Sequence, residues 1–123
     1  MAKKILVVED NPDNMKLVTW ILEDEGYELY CAGTAEIGLQ MLENQQIDLI
    51  LMDISLPGMD GKEATQIIKH DPRFKVIPVI ALTAHAIKGE HEAIVASGVD
   101  VLMTKPLDEE QLVDKIASML NLN

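Results

Sequence analysis

Five short apolar runs, each followed by a longer segment of helical period, constrain this chain more tightly than any other feature of its sequence. The runs fall at residues 5–8, 29–32, 49–52, 79–82 and 101–103 and are rich in Ile, Val and Leu. Their hydrophobicity is continuous instead of alternating, the pattern of strands covered on both faces. Strands that alternate with helices in this way build a parallel sheet. The segments between them carry helix punctuation. The first sets Met15, Val18, Ile21 and Leu22 on one stripe, leaves Trp20 outward and stops at Gly26. The second starts after Thr34, with Ala35, Leu39 and Leu42 inward. In the third, Asp60 precedes Glu63 at capping-box spacing, with Ala64, Ile67 and Ile68 inward. The fifth repeats the device with Asp108 and Gln111 ahead of Leu112, Ile116, Met119 and Leu120. The fourth, about residues 86–97, contains Gly89 and offers only Ile87, Ile94 and alanines as a stripe, which predicts the loosest helix.

Right-handed crossovers with helices on both faces turn five such units into an open, doubly wound α/β domain of (βα)5 form. Of the common strand orders, 2-1-3-4-5 fits, and it sets the first and third strands side by side. Residues 1–123 are then one domain, a length within the ordinary range. An apolar share of 48% argues against disorder. Ten Lys and Arg against 21 Asp and Glu give a net charge of −11, which disfavours direct nucleic-acid binding and anionic membrane surfaces alike. Cys31 is the only cysteine, so an internal disulfide or a cysteine-based zinc cage is excluded. No apolar stretch approaches a membrane span or the core of a signal peptide, and the expected setting is the cytoplasm.

In sheets of this kind function gathers at the carboxyl ends of the strands, beside the switch in strand order. The first run ends in Glu9-Asp10, the third in Asp53, the fourth in Thr83 and the fifth in Thr104-Lys105-Pro106. The second ends in Ala32-Gly33, with no reactive group. One rim thus receives three carboxylates, a hydroxyl and an ammonium. At ~4 Å and an effective dielectric near 20, two unit charges interact by roughly 4 kcal/mol, so one Lys cannot quiet three carboxylates. Either a carboxyl keeps its proton or a cation binds. Oxygen-only donors suit a hard divalent ion, magnesium first among them, and magnesium held by one or two carboxylates invites phosphate oxygens. A carboxylate can attack phosphorus and form an aspartyl phosphate, while metal, Lys and hydroxyl meet the charge on the phosphoryl oxygens. Asp53 stands alone at the end of a central strand and is the expected nucleophile, which leaves Glu9 and Asp10 to hold the metal.

The combination of Glu9-Asp10, Leu51-Met52-Asp53, Leu56-Pro57-Gly58-Met59-Asp60-Gly61, Thr83-Ala84 and Lys105-Pro106 strongly resembles the response-regulator receiver domain of two-component signalling. The resemblance covers essentially the whole chain, and it looks most like stand-alone receivers of the DivK type and receivers of hybrid histidine kinases. It implies that Asp53 accepts a phosphoryl group from a phosphohistidine on a sensor histidine kinase or a histidine phosphotransfer protein. It implies magnesium ligated directly by Asp10 and Asp53, by Glu9 largely through water, and by the backbone carbonyl of Ser55. Thr83 would move its hydroxyl onto a phosphoryl oxygen, and Lys105 would pair with the phosphate. The Lys105–Pro106 bond is often cis in the family, and Ser55 and His85 occupy positions that influence how fast the acyl phosphate hydrolyses. Catalysis would extend no further than the domain's own phosphotransfer and autodephosphorylation. One position departs from the pattern. The family often has Tyr or Phe three residues before the Lys, where this chain has Leu102. The aromatic half of the switch is absent, and a shift of the fourth helix is the expected substitute.

Each residue also has a plainer reading: Asp53 as a capping carboxylate, Glu9-Asp10 as exposed charges opening a loop, Thr83 as a structural hydroxyl, Lys105 as a surface lysine. Their shared position at one rim favours the site. His70, His85 and His91 have no metal-ligand spacing with one another. A small magnesium-dependent phosphohydrolase of the haloacid-dehalogenase kind is the alternative, since it also builds an aspartyl phosphate. It sets a second Asp two residues after the nucleophile, where this chain has Ser55. A flavin or nucleotide site on the same fold lacks its phosphate-binding glycine loop here. The chain closes at Asn123 straight after the fifth helix, so output is expected through contact with a downstream protein or onward phosphotransfer.

Overall fold

Each apolar run folds as a strand and each periodic segment as a helix. The computed structural model describes residues 2–84 and 88–120, the side chain of Lys88 excepted. In chain order the elements are β1 (Lys4–Val8), α1 (Pro12–Asp24), β2 (Glu28–Ala32), α2 (Ala35–Asn44), β3 (Leu49–Asp53), α3 (Gly61–His70), β4 (Val79–Thr83), α4 (Lys88–Ala96), β5 (Val101–Thr104) and α5 (Glu109–Met119). The strands pair in parallel in the order β2-β1-β3-β4-β5, as expected.

Successive strand residues point to opposite faces, which is why continuous hydrophobicity was needed. Ile5, Val7, Leu49, Leu51, Ile80 and Leu82 pack with Val18, Ile21 and Leu22 of α1 and with Leu112 and Ile116 of α5. Their neighbours Leu6, Val8, Ile50, Met52 and Val79 pack the other way, with Ala35 and Leu42 of α2 and Ala64 and Ile68 of α3. The central strands β3 and β4 are buried along their whole length, whereas the outer strands β2 and β5 are partly open.

The helix starts are set by side-chain caps. Asn11 Oδ1 accepts from the amides of Asp13 and Asn14 at 2.9 and 3.1 Å, with Pro12 opening α1. Thr34, Asp60 and Asp108 cap α2, α3 and α5 through the amides of Ile37, Glu63 and Gln111. Gly26 follows α1 with φ +87°, a conformation that a residue with a Cβ resists. At the opposite end of the sheet from the strand-end carboxylates, Lys69 Nζ donates to Ile77 O at 2.7 Å and to Asp100 Oδ2 at 2.8 Å, and the same Asp100 oxygen accepts from Val79 N. These bonds pin the loop between Pro72 and Pro78.

Two helix faces differ from the sequence expectation. Ile67 points outward and is 47% exposed, while Thr65 is fully buried. The inner stripe of α3 runs through Gly61, Ala64, Thr65 and Ile68, and Thr65 is tolerated there because its hydroxyl donates to Gly61 O at 2.7 Å. On α4, Ala93 and Ala96 are exposed, and Ile94 is the only buried residue among those described. Ile87 lies outside the described residues. Ile94 meets Ile54 and Ala81, and this contact ties the helix to the sheet. Ile94→Ala is therefore expected to cost roughly 2–4 kcal/mol, with α4 amides losing more protection in hydrogen exchange than β3 amides. Equal loss across the molecule would show that α4 is not independently anchored.

Candidate functional site

The strand order brings the site together. β1 and β3 are adjacent with Val8 opposite Met52, so Glu9 and Asp53 leave the sheet at the same height. Glu9 stays in line because its amide donates to Ala32 O at 3.0 Å. Asp10 then turns outward as the chain enters the Asn11 cap. Glu9 and Asp53 are each 3% exposed, and Asp10 is exposed. One carboxylate oxygen from each of the three residues lies within 4.8 Å of the other two.

Lys105 supplies the counter-charge. Its Nζ lies 2.9 Å from Glu9 Oε1 and 3.5 Å from Asp53 Oδ1. The backbone holds it there, because Lys105 N donates to Thr83 O at 2.7 Å; the Lys105–Pro106 peptide is cis. Backbone amides add local bonds: Asn11 N donates to Glu9 Oε2 and Ser55 N to Asp53 Oδ1, both at 3.2 Å.

Electrostatically the site is left short of positive charge. Burial pushes the Glu9 carboxyl above its ordinary value of 4.5, helped by Asp53; Lys105 and the Asn11 amide pull it back without prevailing. Burial also disfavours the Lys105 ammonium, but Glu9 and Asp53 outweigh it and hold its pKa up, so the ammonium stays charged. Among the described residues it is the only cation in ion-pair contact with these carboxylates. Two buried carboxylates and one exposed carboxylate, all offering oxygen, fit a hard divalent cation.

The other sequence-predicted residues distribute as follows. Thr83 is buried at the carboxyl end of β4, one step past the pairing of Asp53 with Leu82. Ser55 is exposed and contributes its amide to Asp53. Leu102 is partly buried and packs on the cluster of Ile54, Ala81 and Ile94, which places it in the contact between sheet and α4. His85 lies outside the described residues. Two features went unread in the sequence. A polar residue just before Pro12 is the signal that could have marked Asn11 as a cap, and its amide serves Glu9. A cleft of about 100 Å3 beside the site joins Leu17 and Val18 of α1 to Pro106 and Leu107, with Glu9 and Lys105 in its wall. Nothing local to either segment signals that one.

Comparison with known proteins points to one family. A family model described as response regulator receiver domain matches residues 5–117. The sensor histidine kinase GacS of Pseudomonas protegens is 35% identical over 124 residues, spanning 98% of this chain and only 14% of GacS. The polar-differentiation response regulator DivK of Brucella ovis is 39% identical over 120 residues, 98% of each chain. The receiver domain of sensor histidine kinase PA1611 from Pseudomonas aeruginosa PAO1, solved with a magnesium ion coordinated in its active site cleft, superposes with a TM-score of 0.92. It is 31% identical and covers 98% of this chain and 99% of that one.

Proposed function

This chain belongs to the response regulator receiver domain family and is a signalling module of phosphorelays; from that premise we propose that Asp53 is its phosphoacceptor and that residues 1–123 act as one receiver domain. The observation that carries this reading is the pairing of buried Asp53 with buried Glu9 and exposed Asp10 around a single ammonium. Asp53 Oδ attacks the phosphorus of a phosphohistidine; the new O–P bond forms as the P–N bond breaks, and the imidazole leaves as a neutral ring after taking a proton. Lys105 meets charge on the phosphoryl oxygens, and the Thr83 hydroxyl donates to one of them. Asp10 and Asp53, with Glu9 and the Ser55 carbonyl, are the residues that would hold magnesium. When bound, the ion supplies charge neutralisation for the transferring group.

The donor is a sensor histidine kinase or a histidine phosphotransfer protein. Its histidine must approach on the open side of the site, where the cleft of Leu17, Val18, Pro106 and Leu107 borders Glu9 and Lys105. A phosphoryl group adds roughly −1.5 to −2 charge. The resulting shift of Thr83 is read through β4 and the cluster of Ile54, Ala81 and Ile94 by α4, and from there by a downstream protein. The domain is a signalling part, and its chemistry is limited to its own phosphotransfer and autodephosphorylation, the latter tuned by Ser55 and His85. No helix among the described residues is long and apolar enough to cross a membrane; the cytoplasm is the proposed setting. The phosphohydrolase alternative draws support from none of the likenesses, and Ser55 occupies the place of its acid/base Asp.

The test is stoichiometric, magnesium-dependent labelling from acetyl phosphate or a phosphorylated histidine kinase. Catalytic turnover of small phosphate esters would instead return the hydrolase. Magnesium should also stabilise the fold, by ~2.7 kcal/mol at a hundred times its dissociation constant. The melting temperature should rise for the wild type and stay put for Asp10→Ala; an equal rise in both would move the ion elsewhere.

A further inference from the structure

Gly61 opens α3 with its Cα pressed against the end of β3. A Cβ built there would overlap the Asp53 carbonyl oxygen and lie 2.8 Å from Ile54 Cα and 3.0 Å from the Asp53 carbonyl carbon. All three are backbone atoms, so none can rotate aside. Nor can the strand retreat. Ile54 N donates to Leu82 O at 3.0 Å, Asp53 pairs with Leu82, and the Ile54 side chain is buried against Ala81 and Ile94. The helix side is held as firmly: Gly61 N donates to Ile54 O at 3.2 Å, Asp60 caps the first turn, and Thr65 Oγ1 donates to Gly61 O at 2.7 Å.

Gly61 does not sit in the left-handed region, unlike Gly58 with φ +71°. Backbone conformation therefore does not demand a glycine, and helix propensity favours alanine. What remains is space, and the space lies against the very residue whose carboxylate faces Glu9, Asp10 and Lys105. We propose that Gly61 is a positioning residue: its missing side chain lets α3 seat against β3 and so sets the depth at which Asp53 presents its carboxylate. This rests on the reading of Asp53 as the phosphoacceptor. A site built from oxygens 4.8 Å or less apart has little slack, and a misplacement of about 1 Å can cost on the order of a hundredfold.

Gly61→Ala and Gly38→Ala form the test. Gly38 is also buried in a helix, but a Cβ there meets Val8 Cγ2 at 2.9 Å, a side-chain atom and not the backbone that carries Asp53. Gly61→Ala should weaken magnesium binding and slow labelling from acetyl phosphate, each by roughly tenfold to a hundredfold. It should also move the amide resonances of Asp53 and of Ser55, whose N–H donates to Asp53 Oδ1. Gly38→Ala should leave both activities near wild type whatever it costs in denaturant midpoint. A folded Gly61→Ala protein with unchanged magnesium affinity and unchanged amide shifts overturns the proposal, as does an equal loss in Gly38→Ala. If Gly61→Ala is unfolded, the titration is repeated in a stabilising osmolyte. A chain that stays unfolded there also overturns it, because Gly61 would then serve the whole fold. A wild type that binds magnesium yet takes no label sinks the phosphoacceptor reading alone, and the amide shifts still decide Gly61.

Discussion

Asp53→Asn should take no phosphoryl label at all, from acetyl phosphate or from a kinase, while keeping the fold. The amide has the shape of the carboxylate but no anionic oxygen to attack phosphorus. Its effect on the metal-free protein should run the other way. Asp53 and Glu9 are both buried, and Asp53 is one of the groups that push the Glu9 carboxyl upward. Removing one of two facing negative charges relieves that repulsion, so without divalent ions the denaturant midpoint should hold or rise. Loss of label joined to an unchanged or higher midpoint identifies a chemical role. Residual stoichiometric labelling of Asp53→Asn would place the acceptor on another residue and undo the assignment.

Lys105→Met should separate two properties that most lesions in the site would lose together. The Lys105 ammonium touches Glu9 and Asp53 at 2.9 and 3.5 Å. It neutralises part of the charge that attracts a divalent ion, so its removal should tighten magnesium binding. Phosphotransfer should nevertheless fall by roughly 10²–10³, the usual cost of losing one group that stabilises a developing oxyanion charge. Met keeps the length and apolar stem of the side chain, which limits loss of packing. In the absence of metal the variant should be less stable, because buried Glu9 loses its ion-pair partner. Magnesium should restore much of that deficit. Calorimetric titration with magnesium and a labelling time course read the two effects separately, and weaker magnesium binding in Lys105→Met would contradict the charge balance proposed for the site.

Much of the candidate site was legible because its residues stand at strand ends, and strand ends can be located from where an apolar run stops. Glu9, Asp10, Asp53, Thr83 and Lys105 were all found that way. Asn11 was not singled out from the sequence, and its second use, an amide bond to Glu9, depends on how the chain turns after β1. Ile67 was placed inward because it is apolar and lies one residue from Ile68. The helix instead buries Thr65, whose hydroxyl finds a partner within its own turn. Hydrophobicity alone does not see that a polar group can be satisfied locally.

The order of elements, the parallel sheet and its two-sided core follow from the sequence alone, because period, capping residues and continuous apolar runs are local properties. The candidate chemistry is suggested there as well, by three carboxylates at the ends of β1 and β3 and one Lys at the end of β5. Distances belong to the tertiary structure. That Lys105 leans between Glu9 and Asp53, that three oxygens converge within 4.8 Å, and that α3 needs a glycine against the Asp53 backbone are set by strand register and helix packing. Those contacts join segments far apart in the chain, and a residue's spacing along the chain carries its angle around a helix or strand but not its separation from a partner on another element.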